Sequence, residues 1–158
     1  MDERNQAMMI AKGGEAYVMS RLLFEGFNAN ILTVDSGIDV AAIKDGKTYL
    51  FQVKTRHWNA RNTVRIFVEV DALNRYKDEN ALFVLIARDR ETERVDAVIL
   101  GIDKLFEVRE KSRIRSNQKG NDSLLLIFTR RADGGVTLNN GGRVDEYTNI
   151  WNRVGEMK

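Results

Sequence analysis

The chain of 158 residues has no cysteine, no proline and a single histidine. Without cysteine, disulfides and thiolate metal sites are excluded. The longest apolar runs, such as residues 81–87, are far too short to span a bilayer, and the N-terminal residues lack the apolar core of a signal peptide. These absences predict a cytoplasmic protein with no membrane partner. For the absence of proline we have no physical explanation.

What the chain does contain is typical of a globular protein. It is 43% hydrophobic and 30% charged, and its length suits one domain with a single core, which we place over residues 1–158. The net charge of +2 is only a weak indication of a nucleic-acid partner. Residues 54–65 and 111–119, however, each carry four lysines or arginines and no acid. Such stretches are either solvated surface or phosphate contacts.

Hydrophobic periodicity predicts an N-terminal helix from residue 3 to about residue 26. Its apolar stripe consists of Met8, Ala11, Val18, Met19 and Leu22. Glu15 projects into the middle of this stripe. Since an unpaired buried carboxylate is costly, this position indicates an ion-pair partner, a metal or a polar cleft.

Three short strands are predicted next, over residues 30–34, 38–43 and 48–55. The Asp45-Gly46 pair between the last two is a strong hairpin signal. Alternation places Gln52 and Lys54 on one face of the third strand. The hairpin register can bring Asp39 near both of them.

The remaining pattern predicts further strands and helices. Strands are expected over residues 63–70, 81–88, 95–102 and 123–129; helices over 71–77, 103–111 and 144–154; a loop over 111–122; and turns at 35–37 and 132–135.

Glu15, Asp39 and the run Gln52-Val53-Lys54 together provide the groups that phosphodiester hydrolysis needs. Mg²⁺ prefers hard oxygen ligands, which the two carboxylates, the Gln52 amide and the Val53 backbone carbonyl can supply; Mn²⁺ can substitute. A bound metal lowers the pKa of water, and Lys54 would stabilise hydroxide or the charge on the phosphorane. We therefore predict a metal-dependent nuclease.

The basic stretch that follows supplies candidate DNA contacts, namely Arg56, His57, Trp58, Arg61 and Arg65. The arginines suit phosphate groups. His57 is either a DNA contact or an exposed loop residue. Trp58 either stacks on a base or packs on the sheet.

In the order of these motifs, the chain resembles the PD-(D/E)xK nuclease superfamily. Lys12-Gly13 followed by Glu15, then Gly26-Phe27, Asp39 and residues 49–54, is similar to archaeal Holliday junction resolvases. The runs 37–39 and 52–55 also resemble restriction-type domains that act on methylated DNA and a group of homing endonucleases. The resemblance covers about residues 8–56. It implies an α/β restriction-endonuclease-like core, αβββαβ, whose mixed central sheet is flanked by helices. That core would span about residues 5–90, with C-terminal strands and a helix appended over about 91–158.

By this resemblance, Glu15 and Asp39 are metal ligands and Lys54 is the catalytic lysine. Gln52 stands where the family usually has an acid, and should hold the metal less tightly. The expected protein is a Mg²⁺-dependent endodeoxyribonuclease for branched DNA, such as Holliday junctions, in repair or recombination. It would act as a homodimer, because one small domain cuts one strand. Three alternatives stay open: a restriction or homing endonuclease, an inactive nucleic-acid-binding protein with the nuclease fold, and a domain that binds no nucleic acid.

Overall fold

A computed structural model describes residues 2–33, 37–77, 79–111, 115–116, 122–139 and 142–157. The helices are α1 (Glu3–Phe24), α2 (Val70–Arg75) and α3 (Ile102–Lys111), with 3₁₀ turns at Asp145–Tyr147 and Trp151–Glu156. The strands are β1 (Asn28–Ile31), β2 (Val40–Lys44), β3 (Lys47–His57), β4 (Thr63–Glu69), β5 (Ala81–Arg88), β6 (Val95–Gly101), β7 (Arg115–Ser116), β8 (Asp122–Arg130), β9 (Val136–Leu138) and β10 (Gly142–Arg143).

A five-stranded sheet in the order β1-β2-β3-β5-β6 forms the centre of the fold. β3 and β5 are parallel, and the other neighbours are antiparallel. Residues 81–87 of β5 are all buried, as the predicted apolar run requires, because both faces of the sheet are covered. The predicted fold class, a mixed central sheet flanked by helices, is confirmed. β6 also belongs to this sheet, which therefore extends to Gly101.

A second sheet, in the order β10-β9-β8-β4, packs on one face of the first, and β7 pairs with β8. Alternation in β4 buries Val64, Ile66 and Val68 and exposes the residues between them. The buried side chains share one cluster with Phe83 and Leu85 of β5. The inner face of β4 therefore points toward the first sheet, and its outer face points away.

Helix α1 covers the opposite face of the first sheet, but only with its C-terminal half. Val18 and Leu22 are completely buried, whereas Met8 near the start is 59% exposed. The predicted apolar stripe is thus correct for the second half of the helix alone. No described helix is both long enough and apolar enough to cross a membrane.

The predicted C-terminal helix over residues 144–154 is wrong. Asn149 has a φ of 57°, which an α-helix does not allow, and its backbone N–H and side-chain oxygen both bond to Ala97 of β6. Two 3₁₀ turns form instead, and they still bury Trp151 and Val154 as the pattern requires. The predicted turn residues Asp35 and Ser36 and most of the 111–122 loop lie outside the described residues.

Candidate active site

The hairpin between β2 and β3 sets the position of Asp39. Asp45 and Gly46 have φ values of 51° and 73°, as a two-residue type I′ turn requires. This turn pairs Lys44 with Lys47, and the register continues back to Val40 opposite Phe51. The Asp39 N–H bonds to the Phe51 carbonyl at 2.9 Å, so Asp39 lies just before the paired part of β2 and beside β3.

The Asp39 carboxylate lies at the edge of β3 where, among the described residues, no strand pairs with it. β2 begins at Val40, so past Phe51 the described strands pair with β3 only on its β5 side. Asp39 Oδ2 accepts the Val53 N–H at 2.7 Å. Because the N–H and C=O of one strand residue point to the same edge, the Val53 carbonyl faces this edge as well.

Gln52 and Lys54 lie where the cover of the second sheet ends. In the parallel register they are adjacent to Phe83 and Leu85, which are buried beneath the second sheet. Gln52 and Lys54 are themselves only half-buried. Their side chains therefore reach a partly open cleft, and Lys54 forms no salt bridge with any residue that the structure describes.

Glu15 belongs to helix α1, which packs on the other face of the first sheet. It is 6% exposed, and its Oε2 accepts a bond from Lys12 Nζ at 2.7 Å. Burial raises the pKa of Asp39 above its ordinary value; the Val53 N–H and the Lys54 charge oppose this, and the Glu15 charge adds to it. The Glu15 and Lys54 charges are therefore near enough to Asp39 to shift its pKa in opposite directions.

A close approach between Gly14 and Thr55 sets the distance of Glu15 from β3. A Cβ on Gly14 would lie 1.7 Å from Thr55 Oγ1, which is far inside contact distance. Thr55 is buried, and its hydroxyl has no hydrogen-bond partner among the described residues. Only glycine at this position lets α1 lie so near the strand.

Gly14→Ala is therefore expected to push α1 away from β3 and to reduce stability by about 1–3 kcal/mol. Neighbouring Gly13 is the matched control, because a Cβ there meets nothing within 4 Å. Gly13→Ala should stabilise the helix by about 0.5–1 kcal/mol. Thermal unfolding followed by circular dichroism measures both, and equal melting temperatures for the two variants would contradict the close contact.

The predicted DNA contacts are not all placed together. Arg56 is exposed at the end of β3, and Arg61 is exposed in the loop that follows. His57 is half-buried, with Nδ1 3.4 Å from the Arg88 carbonyl. Arg65 lies on the outer face of β4, which points away from the first sheet, so the structure does not bring it to the cleft.

The prediction that Trp58 stacks on a base needs correction. Its side chain is 7% exposed and belongs to the core between the two sheets. Its Nε1 donates to Asp96 at 3.0 Å, and the Arg130 guanidinium lies 5.4 Å from the ring centre. The alternative interpretation, packing on the sheet, is the one the structure supports.

Three residues near the cleft were not predicted as site residues. Lys12 pairs with Glu15, and its spacing three residues earlier was the available signal. Gly14 and Thr55 gave no signal, since their contact joins segments 41 positions apart in the chain. Such close contacts depend on how helices and strands pack, and they produce no periodic pattern in the sequence.

The donor atoms at the cleft suit a hard cation. They are two carboxylates, an amide oxygen and a backbone carbonyl, the ligand types of Mg²⁺. Within the described ranges there is no group of three or more His, Cys, Asp or Glu residues that would hold a metal. The predicted ligands thus include only two acids, Glu15 and Asp39, and the third side chain, Gln52, has no charge.

Comparison with known proteins tests the fold. No family model matches the chain, and no curated protein matches it by sequence. The solved structure of the bacterial homing endonuclease I-Ssp6803I is similar, with a TM-score of 0.55 and 12% identity over 94% of this chain and 93% of that one. The chain has the restriction-endonuclease-like fold.

A second solved structure is similar to part of the chain. It is Hjc, a Holliday junction resolvase from the archaeal hyperthermophile Archaeoglobus fulgidus. The TM-score is 0.45, with 12% identity over 72% of this chain and 82% of that one.

Proposed function

We propose that this protein is a metal-dependent DNA endonuclease that hydrolyses phosphodiester bonds in the cytoplasm. The observation that carries the proposal is the Asp39 carboxylate bonded to the Val53 N–H at the open edge of β3, with the Glu15 and Lys54 charges near enough to act on it. Two acids and a lysine at a half-buried cleft are the charges that bind a divalent cation and a phosphate together. The fold is one that nucleases use.

Each residue at the cleft has a proposed role. Asp39, Glu15, the Gln52 amide and the Val53 carbonyl would hold Mg²⁺ or Mn²⁺. When bound, the cation would neutralise charge on the phosphate and lower the pKa of an attacking water. Lys54, whose ammonium has no salt-bridge partner among the described residues, would donate to the oxygen on which negative charge develops.

DNA would contact the cleft through the exposed positive charges at the end of β3. Arg56 and Arg61 are both exposed and suit phosphate groups, with His57 between them. We propose branched DNA such as a Holliday junction as the substrate, and a homodimer as the active form. One small domain carries one cleft, so two strands need two copies.

One experiment tests this function. The purified protein is incubated with linear duplex, single strands, flaps and four-way junctions, with and without Mg²⁺ or Mn²⁺. Cleavage of the junction that needs the metal and is lost in Lys54→Ala is the expected result. Cleavage that persists in Lys54→Ala would overturn the assigned site. Equal cleavage of every duplex would overturn the junction preference.

Gln52 favours a second candidate, a nucleic-acid-binding protein that has the fold but does not cut. An amide oxygen carries no formal charge, so it attracts the cation less than a carboxylate does. Junction binding without cleavage at millimolar Mg²⁺ would support this candidate over the first.

Gln52→Glu is expected to raise Mg²⁺ affinity roughly tenfold, because it adds a charge beside the other two acids. Without metal, the same charge should lower the melting temperature through repulsion with Asp39 and Glu15. Isothermal calorimetry and thermal unfolding measure the two effects. Gln6→Glu, an exposed change near the start of α1, is the control and should alter neither. Unchanged metal affinity in Gln52→Glu would place the cation elsewhere.

A further inference from the structure

We infer that β4 is a dimerisation strand, which pairs antiparallel with the β4 of a second copy of the chain. β4 is the edge strand of the second sheet, and the described strands pair with it only on its β8 side. A seven-residue strand with one open edge is a template for pairing with another chain.

The backbone shows which groups face the open edge. The Thr63 N–H and C=O bond to Asn59, not to β8. Alternation then turns the N–H and C=O groups of Arg65, Phe67 and Glu69 toward the open edge too. The N–H and C=O groups of Val64, Ile66 and Val68 point to β8.

The side chains of the same three residues form a complementary pattern. Phe67 is 58% exposed, so its ring offers apolar surface beside the open edge. Arg65 lies two residues before it and Glu69 two residues after it, and both are exposed. Neither charge has an ion-pair partner among the described residues.

A two-fold axis at Phe67 would give a partner to each of these backbone groups and side chains. Phe67 would lie opposite the partner's Phe67, and Arg65 opposite the partner's Glu69. In an antiparallel ladder, the residues of a hydrogen-bonded pair exchange both N–H···O=C bonds. Phe67 and its copy, and Arg65 and the partner's Glu69, would be such pairs, because the N–H and C=O groups of these residues all face the open edge. Opposite charges and paired aromatics across strands are the stabilising combinations. Ile66 and the partner's Val68 would continue the inner apolar face.

The role of this dimer in DNA cleavage rests on the proposed function, since two copies would bring two cleavage sites to one substrate. The interface has its own test, which needs neither DNA nor metal. An interface of one strand pair belongs to the weak class of protein contacts, so sedimentation should cover roughly 2 to 200 µM protein. The full chain is expected to be a dimer at the upper end of this range.

Charge-reversal variants test whether β4 forms the dimer interface. Arg65→Glu and Glu69→Arg each turn both complementary pairs into like-charge pairs, and should raise the dimer dissociation constant about tenfold or more. The double change R65E/E69R restores opposite charges across the axis and should restore the dimer. Glu91→Arg, in the exposed turn after β5, changes net charge equally and should have no effect.

Three results would overturn the inference: a monomer throughout that range, a dimer unaffected by Glu69→Arg, or a double variant that stays monomeric while folded by circular dichroism. Failure here is separable from failure of the proposed function. A monomer that cleaves DNA overturns the interface and the proposed dimeric form but not the nuclease activity, and a dimer that does not cleave overturns only the activity.

Discussion

Asp39→Asn should reduce metal-dependent DNA cleavage about 10³-fold or more. A bound cation stabilises the charge of the transition state by several kcal/mol. Each 1.4 kcal/mol is a factor of about ten in rate, so losing a carboxylate ligand has an effect of this size. Single-turnover cleavage of a labelled junction measures it.

The same substitution should leave the fold as stable as before, or make it more stable. Burial raises the pKa of Asp39, which means that the charged carboxylate is less favourable in the folded protein than in the unfolded chain. Stability contributed by the protonated form is therefore lost as pH rises through the folded pKa. Asparagine has no charge to desolvate, and its oxygen can still accept the Val53 N–H. At neutral pH the variant should melt at the same temperature or higher.

Asp45→Asn is the matched control for this prediction. It makes the same chemical change in the same hairpin, but at an exposed turn residue with positive φ, where asparagine is well tolerated. Its cleavage and stability should equal those of the parent. If Asp39→Asn retained cleavage, or lost it only because the protein unfolded, Asp39 would not be a metal ligand.

The hairpin is the part of the site that the sequence predicts best. The Asp45-Gly46 turn determines the pairing of β2 with β3, and counting back along both strands to Val40 and Phe51 brings Asp39 beside the start of Gln52-Val53-Lys54. Alternation then determines the face of Gln52 and Lys54. The turn residues and the alternation of apolar and polar residues can both be read from the sequence. The sequence therefore predicts the part of the site that the hairpin carries.

Contacts between segments far apart in the chain could not be predicted from the sequence in this way. The alternation of β4 is equally compatible with the first sheet and with the second, because a period of two shows which residues are buried but not against what. Trp58 looked like part of a basic surface since its neighbours are polar. Its hydrogen-bond partner Asp96 lies 38 residues further on, in another strand.

That partner belongs to a polar network that joins the ends of β3, β6 and β8. Asp96 is completely buried, and its carboxylate accepts the Trp58 N–H and a bond from Arg94 at 2.9 Å. Arg130 extends the network, with Nη1 3.9 Å from Asp96 and a salt bridge to Asp89. A buried carboxylate is tolerated only where such donors surround it.

Asp96→Ala should therefore destabilise the protein by about 3–5 kcal/mol, because it leaves the buried Trp58 N–H and the Arg94 and Arg130 charges without their acceptor. For a chain of this size that corresponds to a fall in melting temperature of roughly 6–20 °C. Urea unfolding measures the free energy, and the slope should be unchanged. Glu93→Ala is the control, since it breaks the exposed Arg88–Glu93 pair at 2.9 Å and should cost under about 1 kcal/mol. If both variants lost the same small amount, the buried network would contribute no more than a surface pair. The two sheets would then be held together by apolar packing alone.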